Sequence, residues 1–227
     1  MALIIVINSG NFASYMKKLN SFQIGTIVTG IIVVVAIGFV YNNTLKTHKE
    51  PVLPYFGPEQ GDGQPHFVSS FNLLNQDSVM LNQEPYKGKI YVADFFFTTC
   101  LGICPLMTEG MIRVHKAYLN NPDIMILSHT VDPDHDTPSV LKRYANNRKI
   151  DTNKWNFVTG DKKQIYDLAR YSYLVDASEG DGGPNDFVHT ENFALVDREG
   201  RIRGYYDGTD TAEVSKLIRD ISLLLAE

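Results

Sequence analysis

Cysteine is scarce in this sequence, since Cys100 and Cys104 are the two cysteines among 227 residues. Two cysteines are too few for a disulfide framework, and no series of Cys and His has the four-ligand spacing of a structural zinc module. Basic residues are also in the minority, with 21 Lys and Arg against 26 Asp and Glu. Because an acidic surface repels phosphate backbones, we expect no nucleic acid partner.

Apolar residues, in contrast, are plentiful. Hydrophobic residues make up 44% of the chain and aromatic residues 11%, which is enough to bury a core and excludes disorder throughout. At about 100–200 residues per domain, the length allows one globular domain with appendages, or two small domains. The composition along the chain favours an anchor, a linker and one domain.

Charged residues are absent from residues 24–41, a run with GIIVVVAIGF at its centre. At about 1.5 Å per residue this run spans about 27 Å, enough to cross a bilayer core. A buried soluble helix and a cleaved signal peptide are the alternatives, but residues 41–45 offer no small-x-small cleavage site. We therefore predict a single uncleaved transmembrane helix over 24–41. Residues 1–23 would be a cytoplasmic segment, in which Met16 is an alternative start.

The next segment, residues 42–65, is rich in proline and glycine, which is typical of a linker that stands off the membrane. We expect the folded domain to cover residues 66–227. Lysines flank the apolar run on both sides, so the positive-inside count is tied. The free amino terminus and the bulk of the domain favour an orientation with the amino terminus in and the domain out.

The order of apolar runs within 66–227 predicts an α/β fold. The run over 90–97 shows little alternation, which is typical of a central strand covered on both faces. A hairpin is predicted before it, with strands at 67–72 and 79–81. Asp210 is expected to cap the last helix, with Glu213 reaching back. Between these elements we predict helices at about 105–119, 138–149 and 162–172, and strands at 124–130, 156–158, 192–196 and 203–206.

Both cysteines lie in the segment CLGICP, directly after the central strand and before a helix. Open α/β sheets bind ligands at the carboxyl ends of their strands, so this loop is the leading candidate site. Pro105 suits the first turn of a helix and places Cys104 near the cap, where amides and the helix dipole lower a thiol pKa. Two such thiols can form a disulfide or bind one metal ion, and two buried structural thiols are the alternative.

Three residues separate the cysteines, one more than in thioredoxin-type redox sites, and the wider loop favours chelation. Two thiolates favour Cu(I), which accepts two or three ligands, whereas zinc needs four. Any third ligand would come from a histidine. His189 follows a Gly-rich loop, 179–186, that can swing a side chain toward the cysteines. His129 is expected to be packed and His135 to lie in a turn; from the residues alone, His189 can be a ligand or an ordinary loop residue.

Four motifs together resemble the Sco/SenC family over about residues 66–227. They are FFTTC-x-x-x-CP at 96–105, VDPDHDT at 131–137, VHT at 188–190 and LVD-x-x-G at 195–200. Sco/SenC proteins are membrane-tethered copper proteins that serve assembly of the binuclear copper site of cytochrome c oxidase subunit II. The resemblance implies that Cys100, Cys104 and His189 bind copper and that Asp132 and Asp136 help shape the site.

The resemblance further implies a thioredoxin-like fold with an N-terminal hairpin extension, and copper as Cu(I), Cu(II) or both. Such a protein is a metallochaperone and not an enzyme. It would receive copper from a donor protein and pass it to subunit II, with its domain on the periplasmic side of the cytoplasmic membrane. Two features depart from the family: residues 101–103 are more apolar than usual, and no proline directly precedes the strand at 192.

Two other interpretations use the same thiols differently. In the first, Cys100 and Cys104 form the redox-active pair of a thiol-disulfide reductase that keeps the oxidase cysteines reduced without carrying metal. In the second, the protein is a thiol peroxidase, because peroxiredoxins share this fold.

Overall fold

The computed structural model describes residues 20–47, 52–59, 63–176 and 188–227, together with positions 178, 180, 183 and 186. The chain divides into two units, residues 1–50 and 51–227. The alternative start at Met16 lies outside the described residues.

The first unit contains helix α1 (Ser21–Thr47). Its segment Ser21–Asn42 is long and apolar enough to cross a membrane, and none of that segment is buried. The hydroxyls of Thr26 and Thr29 donate to the carbonyls of Phe22 and Gly25, at 3.0 and 2.9 Å. These bonds satisfy the polar groups of the helix internally, as an apolar environment requires.

Within the described residues of the second unit, seven strands form one mixed sheet. They are β1 (Asn72–Asn75), β2 (Met80–Asn82), β3 (Ile90–Phe96), β4 (Ile124–Thr130), β5 (Trp155–Thr159), β6 (Asn192–Val196) and β7 (Ile202–Asp207). Their order across the sheet is β2-β1-β5-β4-β3-β6-β7. Strands β3, β4 and β5 are parallel neighbours, and the other pairs are antiparallel.

Helices cover both faces of this sheet and confirm the predicted α/β class. They are α2 (Cys104–Ala117), α3 (Pro138–Asn147), α4 (Lys162–Asp167) and α5 (Thr211–Ala226). Every residue of β3 is buried, and its side chains alternate between two apolar cores. Val92 and Phe96 belong to the core that α2, α3 and α5 cover, while Tyr91 and Phe95 belong to the core of α4 and the hairpin. The central strand covered on both faces is therefore confirmed.

Some boundaries differ from those that the sequence predicts. The first hairpin strand is Asn72–Asn75, and not 67–72. Asn75 explains the shift, because its side chain accepts hydrogen bonds from the amides of Asp77 and Val79, both at 2.9 Å, and so fixes the turn. The helix predicted over 162–172 changes after α4 into a π-helical turn, Leu168–Ser172.

Asp210 caps α5 as predicted, since its carboxylate accepts a bond from the Ala212 amide at 2.7 Å. The hydrogen bond expected between the Glu213 carboxylate and the Asp210 amide is replaced by other contacts. The amide of Asp210 donates to the carbonyl of Asp207 at 3.2 Å, and the Glu213 carboxylate lies 3.8 Å from Lys216.

Residues 52–59, which the composition assigns to the linker, contact the domain, and we call them the strap. Phe56 forms an antiparallel bridge with Ile202 on β7, with its amide 3.0 Å from the Ile202 carbonyl. The guanidinium of Arg203 donates to the carbonyls of Leu53 and Pro54 at 2.9 and 3.3 Å. The domain therefore includes chain that precedes residue 66.

Arg203 connects the strap to two carboxylates of the domain. Its side chain is fully buried, and it also pairs with Asp197 at 3.1 Å and with Glu227 at 2.8 Å. Because Asp197 is itself buried, loss of the guanidinium leaves a carboxylate in an apolar surrounding without one of its cations.

We expect Arg203→Met to lower the free energy of unfolding by about 3–5 kcal/mol, the usual cost of breaking a buried ion pair from one side. Denaturant unfolding of the full chain in detergent can be followed through Trp155, the one tryptophan of the sequence, which is 1% exposed. The control is Arg219→Met at an exposed position of α5, where a change within about 0.5 kcal/mol is expected. Equal stability of the two variants would contradict the role of Arg203.

Candidate metal centre

The two cysteines lie where the central strand ends. β3 ends at Phe96 and α2 begins at Cys104, so Cys100 lies in the connecting loop. Cys100 is half-buried and Cys104 is 4% exposed, and both thiols are free. The two thiols interact, and each affects the pKa of the other. The structure thus brings together the two side chains that the sequence predicts as a pair.

The amides at the start of α2 act on Cys100. Partial burial raises the pKa of the Cys100 thiol, but bonds from the Cys104 thiol and from the amides of Gly102, Ile103 and Cys104 bring it below its ordinary value. Cys100 is therefore the thiol that is more readily present as a thiolate.

The predicted lowering of the Cys104 pKa is wrong in this structure. Burial raises the pKa of that thiol, and its bond to Cys100 raises it further. Cys104 is the first residue of α2, so its side chain packs in the core that α2 covers instead of facing the helix amides. The same helix start therefore lowers one thiol pKa while burial raises the other.

Asp136 fixes the chain that leads into the cysteine loop. It is fully buried and accepts hydrogen bonds from the Thr98 amide at 3.0 Å, from the Thr98 hydroxyl and from the Thr130 hydroxyl at 2.6 Å. Thr98 lies two residues before Cys100, whereas Thr130 ends β4. The carboxylate thus ties the loop to the neighbouring strand.

Asp132 organises the turn that follows β4. Its amide donates to the Thr130 hydroxyl at 3.0 Å, and its carboxylate lies 2.9 Å from Nδ1 of His135. That contact raises the pKa of the exposed His135 imidazole. His135 therefore lies in a turn, as expected, and Asp132 contacts the turn while Asp136 contacts the cysteine loop.

His189 lies on the wall of the same cavity as the cysteines. The cavity has a volume of about 260 Å³ and is lined by Phe95, Phe96, Phe97, Cys100, Gly102, Ile103, Cys104, Val131, Val188, His189 and Thr190. His189 is exposed, and its neighbours Val188 and Thr190 are buried. Within the described residues, no three Cys, His, Asp or Glu side chains already form a closed metal site. The three predicted ligands thus border one cavity without meeting at one point.

The remaining described histidines have other contacts. His129 is buried with its ring stacked on Phe95 at 4.6 Å, and Nδ1 lies 3.2 Å from the Asp94 carbonyl. Burial lowers the pKa of His129 to about 4. His115 packs against Trp155, and Nε2 of His66 lies 2.7 Å from a backbone carbonyl of the π-helical turn. The packed role predicted for His129 is confirmed, and His48 lies outside the described residues.

Asp94 is a buried acid in the core beside the thiols, and it is not among the site residues that the sequence predicts. It is 3% exposed, and its carboxylate accepts a bond from the Ser128 hydroxyl, which in turn accepts one from Nε1 of Trp155 at 2.8 Å. Burial raises the pKa of Asp94 to about 7. Its charge also adds to the raised pKa of Cys104. The indication in the sequence was an acid inside the apolar run over 90–97.

The donor set fits a soft metal ion. Two thiols and an imidazole border a cavity whose other lining residues are uncharged, and thiolate ligands select Cu(I) over the harder divalent ions. The residues that would hold the ion are Cys100, Cys104 and His189.

Comparison with known proteins first defines the class: the second unit is a thioredoxin-like domain, because its mixed sheet matches those of solved Sco proteins. The SCO1/SenC family model matches residues 59–225, and the chain belongs to this family. The predicted resemblance and fold are confirmed.

Three relatives illustrate the match. The SCO1 protein homolog of Bacillus subtilis is 34% identical over 158 residues, which cover 68% of this chain and 80% of that protein. BsSco, a Sco-family cytochrome c oxidase assembly protein with a disulfide switch, is 32% identical, has a TM-score of 0.59, and the match covers 69% and 92% of the two chains. ScoI of Bradyrhizobium japonicum with copper bound is 25% identical, with a TM-score of 0.54 and coverage of 68% and 98%.

We expect the contribution of Asp94 to the stability of the apo protein to fall as the pH rises from about 4 to above 7. Asp94 has an ordinary pKa of 3.8 and a folded value of about 7, so between these values the folded state binds more protons than the unfolded chain. The full difference corresponds to about 4 kcal/mol at high pH. Asp94→Asn should therefore be more stable than wild type at pH 8 and equally stable near pH 4, measured by denaturant unfolding. A constant difference at both pH values would contradict the assignment.

Proposed function

We propose that this protein is a membrane-anchored metallochaperone that delivers copper to the binuclear site of cytochrome c oxidase subunit II. The observation that carries the proposal is the cavity shared by Cys100, Cys104 and His189. Family membership supports it, because a relative with copper bound and a relative in oxidase assembly share the fold.

Copper is the cargo, and the two thiols and the imidazole are the residues that would bind it. The Cys100 thiolate, favoured by the amides of α2, would bind first. Binding requires deprotonated thiols and a neutral imidazole, so uptake of copper releases protons. Because Cys100 and His189 reach the surface of the domain, thiolates of a partner can approach and exchange with them.

The anchor α1 would keep the domain at the membrane that holds the oxidase. We propose the cytoplasmic membrane as its location, with residues 1–23 in the cytoplasm, 24–41 spanning the bilayer and the domain on the periplasmic side. Copper would arrive from a donor protein on that side. The mean hydropathy of 2.5 over the apolar helix segment supports the anchor.

A specific observation also favours the second function, thiol-disulfide exchange with the oxidase cysteines. The two thiols line one cavity and interact, and the pKa of Cys100 lies below its ordinary value. The Cys100 thiolate would attack a partner disulfide and release one partner thiolate. Cys104 would then displace the second, so that the partner leaves as a dithiol and Cys100–Cys104 becomes the disulfide. That oxidation removes the copper ligands, which would couple copper binding to redox state.

Copper titration of the reduced full chain in detergent, under anaerobic conditions and against a chromophoric Cu(I) competitor, tests the metallochaperone. We expect one copper per chain, loss of binding in Cys100→Ser and a loss of at least about 100-fold in affinity in His189→Ala, because a metal ligand is removed. His135→Ala is the matched control, since it removes an exposed histidine from a neighbouring turn and should bind as wild type.

The same variants separate the two functions. His189→Ala should leave disulfide exchange with a cysteine peptide of subunit II unchanged, because the exchange uses the thiols alone. Absence of copper binding above the competitor background in wild type, together with rapid exchange, would reject the metallochaperone in favour of the reductase. Consumption of peroxide by the reduced protein would instead indicate a thiol peroxidase.

A further inference from the structure

One buried arginine, Arg170, contacts residues on both sides of the Gly-rich segment that precedes His189. The guanidinium of Arg170 donates to both carboxylate oxygens of Asp186, at 2.7 and 2.6 Å, and Nη2 also donates to the Ser178 hydroxyl at 3.2 Å. Its Nε lies 3.9 Å from the carboxylate of Asp176. Arg170 therefore contacts residues 176 and 178 on the early side of the loop and residue 186 on the late side.

These contacts are unusually buried for ionic side chains on a loop. The side chains of Arg170 and Asp186 are 3% and 7% exposed. Lys162 adds two bonds, from Nζ to the carbonyls of Gly183 and Asp186 at 2.8 and 2.9 Å. The Gly-rich composition of 179–186 places few conformational restrictions on the backbone. Lys162 and Arg170 restrict it at Gly183 and Asp186.

Arg170 lies in the π-helical turn that follows α4. Such turns are frequent at functional sites. The guanidinium also packs over the ring of Tyr166, at 5.5 Å from its centroid. The Tyr166 hydroxyl donates to the carbonyl of Val131 at 2.8 Å, and Val131 lines the cavity. Tyr166 therefore contacts both Arg170 and Val131, a residue of the cavity wall.

His189 follows Asp186 by only three positions in the sequence. At no more than about 3.6 Å per residue, the Cα atom of His189 stays within about 11 Å of the Cα atom of Asp186. A bidentate carboxylate also restricts orientation, which a single ionic contact does not. Fixing Asp186 therefore limits the volume that the His189 imidazole can reach.

We propose that Arg170 is the positioning residue for His189: through Asp186 it holds the imidazole at the cavity of the two thiols. The inference rests on the proposed function, in which His189 binds the copper that the thiols carry. A role in stability alone is a weaker explanation, because buried ion pairs add little net stability over apolar replacements of similar size.

The test uses the full chain in detergent with the variant Arg170→Met combined with Asp186→Asn, which removes both members of the bidentate pair. We expect Cu(I) affinity to fall about tenfold, within the range measured for outer partners of metal ligands. Arg170→Lys should lie between wild type and this variant, because an ammonium cannot form the two parallel bonds. The matched control removes the exposed pair of α4, Lys163→Met with Asp167→Asn, and should bind as wild type.

The His189→Ala background distinguishes positioning from general damage. There the Arg170 and Asp186 changes should lower Cu(I) affinity no further, because no imidazole is left to position. The same tenfold loss in both backgrounds, or no loss in the wild-type background, would overturn the proposal.

A metal-free measurement keeps the two proposals separable. The imidazole NMR signal of apo His189, assigned by its absence from His189→Ala, should move toward the free-imidazole position in the double variant, while the signal of His135 stays in place. If wild type binds no copper, the metallochaperone function fails and this shift still decides whether Arg170 positions His189. An unchanged His189 signal would overturn the positioning role.

Discussion

Because β3 is packed between two apolar cores, its carboxyl end cannot move without disturbing both, and the cysteine loop starts from that end. The parallel neighbour β4 ends beside it, which brings Thr130 and the following turn within reach of the loop. Asp136 then joins the two by accepting bonds from Thr98 and Thr130. The position of Cys100 is thus a consequence of how the sheet is buried.

The two thiols differ because one helix start offers two environments. Cys100 lies ahead of the helix and receives its free amides, whereas Cys104 is the first helical residue and packs into the core. The negative charge of Asp94 raises the pKa of Cys104 further. The pair therefore combines one accessible thiol that ionises readily with one buried thiol that keeps its proton, and that asymmetry suits both ligand exchange and disulfide exchange.

The sequence predicted well what depends on periodicity and on neighbouring residues. Strands β4 and β6 have the predicted bounds, and the unalternating run over 90–97 marked β3 as central. The lowered pKa predicted for Cys104 was wrong, because spacing places Cys104 near a helix start but does not say which way its side chain faces. The strap was assigned to the linker because proline and glycine composition does not show that Arg203 donates hydrogen bonds to two of its carbonyls. Arg170 escaped notice because the composition of a Gly-rich loop does not indicate that Asp186 pairs with a buried arginine.

The candidate ligands differ in how the chain holds them, and the difference bears on transfer. Cys104 is packed in the core, and Cys100 lies in a loop that Asp136 holds through Thr98. His189 lies in a loop that Arg170 holds through Asp186. Moving a thiol would cost packing in the core of β3, while moving the imidazole disturbs a loop outside it. On the proposed function, His189 is therefore the ligand that leaves first. Copper held by the two thiols alone, with room for a third ligand, is then open to the incoming thiolate of the partner.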